Sequence, residues 1–478
     1  MPALKAIVVA LAALLLTACS GDSGKQAVVT RANWTSYVGS HYTARSWAGS
    51  VRDPGGAGQV GYDAQNPAGS WTTFQDTLTN NITPLLPDYY QVISAEGLGS
   101  GRDPVKVQAY MDAIQLDSGA GFRDGMYQRA KAVASLNGAV DKVFWQFGNE
   151  INSQMYSDNL HLWDGSVPPS NSNDPTTIPW FVEYFLAPGI EGVRQASQEL
   201  YGNPGRIHIM LGSVVAAGSV PGKGFLNALL DYQITGNCGA ASSCAPTLQG
   251  MYVRDLVDTV SIHYTLQGGN NNWHTFLNGL YINPNRIGQS GIRSVFSTEE
   301  VGQGSANQGT GMGVAVKVFS RYMDWWLEHN MSPEQGHVFF YGSDIGPAGT
   351  TIDGLMPTLY GFLGDVPLGR PASPSVISNG NANIESYEYE SGTQRRRMIS
   401  VFSSDTAATL LNSITVNVPG WSNLVVEGHL YTATGDQAVT PVVALQPDGK
   451  YLLTFNPSGI PSGTGINANE TLLLLLRE

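Results

Sequence analysis

The sequence predicts an α/β fold, a (β/α)8 TIM barrel over residues 31–368 followed by a small β-sandwich over residues 369–478. From about residue 140, apolar runs typical of strands alternate with helical stretches, which is the pattern of βαβ units. Beyond about residue 370, short strand-like runs separated by turn residues replace the helices. The length of 478 residues is enough for one large domain, one smaller domain and a sizeable core.

The first half of the predicted barrel is the harder half to assign. Strands are predicted at residues 36–42 and 88–97, and helices at residues 104–114 and 125–136. Between residues 46 and 80, where Gly, Asn and Pro are frequent, the pattern identifies no strand. The prediction of a closed barrel therefore has its weakest support in this segment.

Five strand–helix units follow, and they are numbered four to eight of the barrel. Their strand-like runs are residues 142–150, 206–215, 256–264, 291–300 and 337–344, with helical stretches at 179–202, 224–234, 313–329 and 357–365. The predicted strands of the β-sandwich are residues 395–405, 411–420, 425–433, 442–458 and 471–478.

Composition argues against a nucleic-acid partner. The formal net charge is −13, only 13% of residues are charged, and no Lys/Arg cluster supplies the basic surface that phosphate backbones need. The 56 glycines and the 10% of aromatic residues suit a compact, loop-rich secreted protein better than a disordered one. We expect a monomer.

The N-terminal segment predicts export. After Lys5, the apolar run over residues 6–18 is too short to span a bilayer comfortably and ends in small residues. Residues 16–19 (LTAC) resemble the lipobox of bacterial lipoproteins, which implies a signal peptide at 1–18, lipidation of Cys19 and a tether at 19–30. Ser20 follows the cysteine, which by the same analogy implies lipid anchoring at the outer membrane. An ordinary secretory signal with a chance cysteine is the alternative.

The cysteine count agrees with export. Three cysteines are present, and lipidation of Cys19 leaves Cys238 and Cys244, which flank a small polar loop. In an oxidising compartment this pair is expected to form a disulfide. A zinc site is disfavoured because no second Cys/His pair lies nearby at ligand spacing.

Carboxylates stand at the ends of two predicted strands that face each other across the barrel. Glu150 ends strand four, and Glu299 and Glu300 end strand seven. Active sites of such barrels lie at the C-terminal ends of the strands. Hydrolysis of a glycosidic bond needs two facing carboxylates, one to protonate the leaving oxygen and one to attack or to activate water. The alternative is that Glu150 is a surface residue and the Glu299–Glu300 pair a solvated turn.

Three motifs carry a resemblance to the clan-A retaining glycoside hydrolases. They are FGNE at residues 147–150, DTVSIHY at 258–264 and FSTEE at 296–300, all in order on strand ends. The chain is most similar to the β-xylosidase-like and arabinofuranosidase-like branches, which also carry a trailing β-sandwich. The resemblance extends over about residues 140–365, and each motif taken alone is weak.

The resemblance implies roles for individual residues. Glu150 would be the acid/base, Glu299 the nucleophile, and Asn149 would hydrogen-bond the 2-hydroxyl of the sugar. Two positions depart from the family pattern, and both affect the subsite nearest the bond. The tyrosine usually found two places after the strand-six histidine is replaced by Thr265, with Tyr264 one place earlier. The end of strand eight, often a sugar-stacking tryptophan, is Tyr341.

Four further residues are candidates for substrate binding, each with a structural alternative. His263 belongs to the site or is a satisfied core histidine. Arg45 steadies the nucleophile or is simply exposed. Trp163 and Trp273 fall in loops after strands four and six, where they stack on sugar faces or anchor the loops by packing.

Strand parity favours Glu299 over Glu300 as the nucleophile. Side chains alternate across a strand, so Glu299 shares a face with Ser297 and the apolar Val295, whereas Glu300 shares a face with Thr298 and Phe296. The smaller and more polar face is expected to point into the barrel. This reasoning selects Glu299 and keeps Glu300 as the alternative nucleophile.

The sequence therefore predicts a retaining glycosidase that acts on a poly- or oligosaccharide. No P-loop, dinucleotide fingerprint or Gly-x-Ser-x-Gly elbow occurs in a credible context, so no cofactor is expected. No metal is expected either, because His208 and His263 are on different strands without a carboxylate at metal spacing. The alternatives are a non-catalytic glycan-binding surface lipoprotein and a transglycosylase acting on envelope or exopolysaccharide.

Overall fold

The computed structural model describes most of the chain from residue 33 onwards. The described residues are 33–56, 59–95, 104–153, 173–266, 272–282, 294–300, 312–340, 352–364, 366–378, 384–391, 393–403, 411–432, 436–455, 466–467 and 470–478. The predictions for Cys19, Trp163 and Tyr341, the signal peptide at 1–18 and the tether at 19–30 lie outside them. Among the described helices, none combines the length and apolar character needed to cross a bilayer.

Eight parallel strands form a closed barrel in chain order, which confirms the predicted fold class. The barrel closes where the last strand pairs with the first, Val338 opposite Val38. The strands are β1 Val38–His41, β2 Ser50–Arg52, β3 Tyr90–Ser94, β4 Val143–Phe147, β5 His208–Val215, β6 Thr259–His263, β7 Ser294–Glu300 and β8 Val338–Phe340.

Helices connect successive strands from β2 onwards, whereas the residues between β1 and β2 form turns, and two of the described helices begin with side-chain caps. Asn66 accepts a hydrogen bond from the Gly69 N–H before the first helix, and Ser219 accepts one from the Gly222 N–H before the sixth. The helices are α1 Pro67–Thr77, α2 Pro104–Asp117, α3 Ala120–Ala134, α4 Thr177–Phe181, α5 Ala187–Tyr201, α6 Val220–Leu230, α7 Asn272–Ile282, α8 Met312–His329 and α9 Ile352–Leu363, with a π-helical turn Val182–Leu186 between α4 and α5.

The strand that the sequence pattern did not reveal is β2. It has only three residues and pairs on both sides, with β1 through Ser40 opposite Val51 and with β3 through Val51 opposite Gln91. Three residues are too few to show a period of two. Its place in the barrel is fixed by its neighbours and not by its own sequence.

Aromatic and aliphatic side chains from five strands fill the lower part of the barrel interior. This floor cluster consists of Val92, Phe144, Met210, Phe296 and Phe339. The rings of Phe144 and Phe296 lie 4.7 Å apart. Gly39 faces the same space, because a Cβ on it would lie 2.2 Å from the Phe339 ring. The barrel is thus a packed core below its mouth.

Two antiparallel sheets follow the barrel and pack as the predicted β-sandwich. Their strands are β9 Val376–Ser378, β10 Ile384–Ser391, β11 Arg396–Ser403, β12 Ser413–Val416, β13 Val425–Tyr431, β14 Asp436–Val439, β15 Val442–Leu445, β16 Tyr451–Thr454 and β17 Thr471–Arg477. One sheet has the order β10-β11-β17-β13-β14, and the other has the order β15-β16-β12-β9. The last described barrel helix ends at Leu363, so the predicted boundary at residue 368 falls between the two sets of elements.

The strand β17 explains why one apolar run shows no alternation. Leu472, Leu474 and Leu476 lie in the sandwich core, whereas Leu473 and Leu475 are buried on the opposite face. The barrel helix α8 packs next to this strand, and the Thr471 hydroxyl donates to the Gly313 carbonyl at 2.6 Å. A strand covered on both faces is apolar on both faces.

Cys238 and Cys244 form the expected disulfide. The segment before Cys238 is held by the buried carboxylate of Glu183. This carboxylate accepts hydrogen bonds from the backbone N–H groups of Thr235 and Gly236 at 2.7 and 2.8 Å. A buried carboxylate with several donors is a satisfied structural group.

Candidate active site

The strand β4 ends in two unusual backbone conformations. Gly148 has φ 91°, and a Cβ there would lie 2.5 Å from a methyl group of Ile151. Glu150 has φ 53°, a left-handed conformation that costs a residue other than glycine about 1–2 kcal/mol. The Glu150 N–H donates to the Ser213 hydroxyl of β5 at 2.9 Å, which helps to hold the turn. The strand stops there because the chain turns to present the Glu150 carboxylate at the mouth of the barrel.

The end of β7 contains an extra residue. Ile262 of β6 pairs with Ser297, but the next residue, His263, pairs with Glu299, so Thr298 is inserted as a bulge. Before the bulge the interior side chain is Phe296, which belongs to the floor cluster. The parity prediction is therefore wrong for this strand, because before the bulge the interior face carries Phe296 and not the smaller, more polar Ser297. The bulge reverses the alternation and brings Glu299 to the mouth.

The carboxylate of Glu299 lies among cationic and donor groups. Its Oε2 is 2.8 Å from Nδ1 of His263, and its Oε1 is 3.7 Å from Nη1 of Arg52. Burial alone would raise the pKa of Glu299, but the His263 interaction and the charge of Arg52 outweigh it and hold the pKa well below its usual range. Glu299 is therefore ionised at neutral pH.

His263 bridges the two facing carboxylates. Its Nδ1 lies 3.2 Å from Oε1 of Glu150, in addition to its contact with Glu299, and its Nε2 lies 2.9 Å from the Thr298 hydroxyl. Burial lowers the pKa of His263, yet the charge of Glu299 and the hydrogen bonds to both glutamates raise it above its usual value. His263 thus joins the site, as one of the two interpretations of the sequence predicted.

Tyr264 reaches the site despite its shifted position in the motif. It has φ 50°, a left-handed conformation, and burial together with the charges of Glu299 and Glu150 raises the pKa of its hydroxyl, which places the side chain near these carboxylates. Its own N–H donates to the Glu299 carbonyl at 3.0 Å. Tyr264 therefore lies beside Glu299, although it stands one place earlier in the motif.

Asn149 is oriented by two donors. Its Oδ1 accepts hydrogen bonds from Nη2 of Arg52 at 2.7 Å and from the Ser213 hydroxyl at 3.2 Å. With the oxygen engaged on that side, the amide N–H₂ is directed to the opposite side. The Asn149 side chain thus has a fixed orientation next to Glu150.

Arg52 was not identified from the sequence, and Arg45 was proposed in its place. Arg52 lies at the end of β2, is buried, and donates through Nη1 to the Thr298 carbonyl at 3.2 Å. Arg45 is half-buried in the turn after β1. The sequence signal for Arg52 is the Arg52–Asp53 pair at the end of β2, in which the Asp53 carboxylate lies 3.7 Å from Nε of Arg52. This signal can be used only once β2 has been located.

His41 at the end of β1 completes this side of the mouth as a neutral group. Its Nε2 lies 3.1 Å from the Thr298 carbonyl. Burial, together with the charges of Arg52 and His263, lowers the pKa of His41 to about 3. Arg52 therefore carries the fixed positive charge beside Glu299.

Trp273 does not have the predicted sugar-stacking role. It is 4% exposed, and its ring packs under the guanidinium of Arg321 at 5.8 Å and near the Tyr387 ring of the sandwich at 6.5 Å. A ring covered in this way anchors its helix and cannot receive a sugar face. The packing alternative is the one that the structure has.

Glu300 is adjacent to Glu299, and its carboxylate is held by neighbouring groups of the chain. It is completely buried and accepts hydrogen bonds from the Ser297 hydroxyl at 2.6 Å and from the N–H groups of Thr265 and Leu266 at 3.1 and 3.3 Å. Burial raises the pKa of Glu300 to about 7. All three of these hydrogen bonds are accepted by Oε1 of Glu300.

The arrangement is suited to proton transfer and charge stabilisation. Atoms of Glu150, His263 and Glu299 lie within 4.8 Å of one another, a spacing that ligands of a cation also adopt. In this structure the imidazole of His263 lies between the two carboxylates and contacts both, at 3.2 and 2.8 Å. A barrel with paired carboxylates across its mouth has the layout required for cleavage of a glycosidic bond.

Comparisons with known proteins give structural likenesses at low sequence identity. No protein-family model and no curated protein sequence matches the chain. It is similar to the structure of AbfB, a family 51 α-L-arabinofuranosidase from Bifidobacterium longum, with 10% identity, coverage of 94% of this chain and 97% of that one, and a TM-score of 0.44. It is also similar to the catalytic domain of xylanase C from Talaromyces cellulolyticus, with 10% identity, coverage of 96% and 93%, and a TM-score of 0.32.

A third similar structure is endo-glycoceramidase II from Rhodococcus sp., with 13% identity, coverage of 85% of this chain and 84% of that one, and a TM-score of 0.32. The three proteins carry different names for their activities. None of these likenesses specifies a substrate for this chain.

Proposed function

We propose that the protein is a retaining glycoside hydrolase that cleaves a glycosidic bond in a poly- or oligosaccharide. The observation that carries the proposal is the approach of the Glu150 and Glu299 carboxylates, whose nearest oxygens lie within 4.8 Å. Retaining enzymes hold the two carboxyl groups about 5–5.5 Å apart, whereas inverting enzymes need about 6.5–9.5 Å to admit a water molecule between carboxylate and sugar. The short separation favours the covalent, retaining route.

The proposed first step uses both carboxylates at once. Glu299, ionised beside Arg52 and His263, attacks the anomeric carbon and forms a glycosyl-enzyme ester. Glu150 gives its proton to the leaving oxygen as the glycosidic bond breaks. In the second step Glu150 takes a proton from water, the water oxygen bonds to the anomeric carbon, and Glu299 leaves as a carboxylate.

Three neighbouring side chains support this cycle. The Asn149 amide, held by Arg52 and Ser213, is placed to hydrogen-bond the sugar 2-hydroxyl, a contact that strengthens in the transition state. Tyr264, whose N–H donates to the Glu299 carbonyl at 3.0 Å, helps to hold Glu299 in place. His263, in contact with both glutamates, stabilises whichever of them carries the negative charge at a given step.

Covalent trapping tests the nucleophile. A panel of activated 2-fluoro glycosides is incubated with the protein, and the labelled peptide is mapped by mass spectrometry. The expected label is on Glu299. A label on Glu300 would overturn the assignment, and the absence of a label with any substrate hydrolysed with retention would overturn the covalent mechanism.

A digestion panel of polysaccharides with mass analysis of the products tests the reaction class. Released sugars carrying oxygen from labelled water are expected for a hydrolase. Products lengthened by a sugar acceptor would indicate a transglycosylase, because an acceptor hydroxyl can use the same base. Binding without any product would indicate the glycan-binding lipoprotein.

We further propose that the protein is a monomer anchored to the outer membrane through Cys19. The lipobox-like residues 16–19 and the disulfide between Cys238 and Cys244, which needs an oxidising compartment, support export. Cys19→Ala should release the protein from the membrane fraction of the expressing cells into the soluble fraction. A variant that remains as firmly membrane-bound as the parent would disprove the anchor.

A further inference from the structure

The peptide segment after β6 is held from two sides. On one side the buried Glu300 carboxylate accepts from the N–H groups of Thr265 and Leu266. On the other side, Nη1 of Arg321 in helix α8 donates to the Leu266 carbonyl at 2.6 Å. Two buried ionisable side chains, Glu300 and Arg321, therefore hold this segment.

Arg321 is fixed in turn by the β-sandwich. Its Nε and Nη2 donate to Oε1 and Oε2 of Glu385 in β10 at 3.0 and 2.8 Å, a bidentate pair. The Arg321 side chain is completely buried, and that of Glu385 is 11% exposed. The Tyr387 hydroxyl donates to the same Oε1 at 2.6 Å, and Trp273 packs against the guanidinium. Because the pair is shielded from water and bidentate, it defines one position for Arg321.

The segment Tyr264–Leu266, which Arg321 contacts, contains a strained backbone conformation next to the active site. Tyr264, two residues before Leu266, has φ 50°, which an ordinary side chain adopts only when its surroundings impose it. Tyr264 also donates its N–H to the Glu299 carbonyl at 3.0 Å, and burial and the charge of Glu299 raise the pKa of its hydroxyl, which therefore lies near that carboxylate. A relaxed turn would move that hydroxyl away from the carboxylate.

We propose that Glu385 of the β-sandwich is a positioning residue for the active site. It acts through Arg321 on the turn Tyr264–Leu266, which Glu300 holds from the opposite side. The β-sandwich is therefore a structural part of the active site rather than an independent appendage. The expected change in kcat rests on the proposed function. The expected change in hydrogen exchange rests only on the hydrogen-bond geometry.

The test compares two isosteric variants on the same strand. Glu385→Gln removes the charge that holds Arg321. Glu388→Gln is the matched control, since Glu388 is 9% exposed and its hydrogen-bond partners are Arg397, a buried arginine of the sandwich at 2.8 Å, and Ser375. Both variants should lower the melting temperature. Only Glu385→Gln should lower kcat, by about 10- to 100-fold as expected for a misplaced catalytic group, with KM changed less than threefold.

A double-mutant cycle with Tyr264→Phe identifies the route of the effect. If Glu385 acts through Tyr264, adding Glu385→Gln to Tyr264→Phe should reduce kcat by less than twofold further. Equal losses of kcat in the Glu385 and Glu388 variants, or full additivity with Tyr264→Phe, would overturn the proposal.

Hydrogen exchange separates this proposal from the proposed function. The N–H groups of Thr265 and Leu266 should exchange at least tenfold faster in Glu385→Gln than in Glu388→Gln, whether or not any glycan is cleaved. Unchanged exchange would overturn the positioning role. Faster exchange in a protein that cleaves no glycan would leave the positioning role intact and contradict the glycosidase assignment.

Discussion

His263 and His337 are both completely buried inside the same barrel, and their pKa values are shifted in opposite directions. His263 lies at the mouth, where the glutamates raise its pKa. His337 lies at the floor among the rings of Tyr90, Phe296 and Phe339, at 4.7–5.8 Å, and burial lowers its pKa to about 3. Burial penalises charge at both places, and only the mouth supplies carboxylates to compensate it.

The comparison shows how one barrel interior serves two purposes. At the floor, uncharged side chains pack against one another and contribute stability. At the mouth, charged groups are tolerated because each is paired. Burying these groups costs desolvation free energy, which packed apolar side chains do not lose. We therefore expect substitutions at the mouth to change the reaction and substitutions at the floor to change the free energy of unfolding.

The largest effect is expected at the mouth, for Glu150→Gln. With substrates that have poor leaving groups, loss of the general acid should lower kcat/KM by about 10²–10⁴-fold. Activated aryl glycosides need no proton, so their first step should be nearly unchanged. The measurement is kcat/KM over a series of leaving groups.

Glu328→Gln is the control for this variant, because Glu328 is about one-third exposed and pairs with His274. It should leave kcat/KM unchanged for every substrate. Equal losses for good and poor leaving groups in Glu150→Gln would show that Glu150 is not the acid.

The second effect is expected at the floor, for Phe296→Ala. Removal of a ring that packs against Phe144 and Phe339 should reduce the free energy of unfolding by about 3–5 kcal/mol through lost burial and a cavity. Denaturant unfolding measures this change. The folded fraction should retain kcat within a few-fold. A loss of kcat as large as that of Glu150→Gln, without a loss of stability, would contradict the division between floor and mouth.

The smallest effect is expected for the pH dependence of stability, which tests the opposite pKa shifts of the two histidines. Since His337 has a folded-state pKa of about 3, below its unfolded value of about 6.5, only the unfolded chain takes up its proton between these values. Its contribution to stability is therefore lost as pH falls from about 6.5 towards 3. His337→Phe should flatten the fall of the melting temperature over pH 7 to 4.

The opposite sign is expected for His263. Its pKa is raised in the folded state, so its stabilising contribution is complete below the unfolded pKa and is lost as pH rises through the folded pKa. His263→Asn should therefore lose most stability relative to the parent at acid pH. Parallel melting curves for the parent and both variants across the whole pH range would contradict the opposite shifts.

The sequence determined the class of fold and much of the candidate site. Long, repeated strand–helix patterns give a local signal that does not depend on tertiary contacts. For this reason units four to eight and most strands of the sandwich could be predicted. The motifs at residues 147–150 and 296–300 also placed Glu150 and Glu299 at strand ends, where the structure has them. Local chemistry sufficed for these because each signal is contained in a few consecutive residues.

Only the tertiary structure decided how these residues meet. The strand β2, and with it Arg52, depends on pairing with β1 and β3 because three residues carry no periodic signal. The orientation of Glu299 depends on a bulge at Thr298. Phe296 packs in the barrel floor, and only the inserted residue allows Glu299, three positions later, to lie opposite His263. Sequence alternation assumes a regular strand, and a bulge is set by the neighbouring strands and the packing between them.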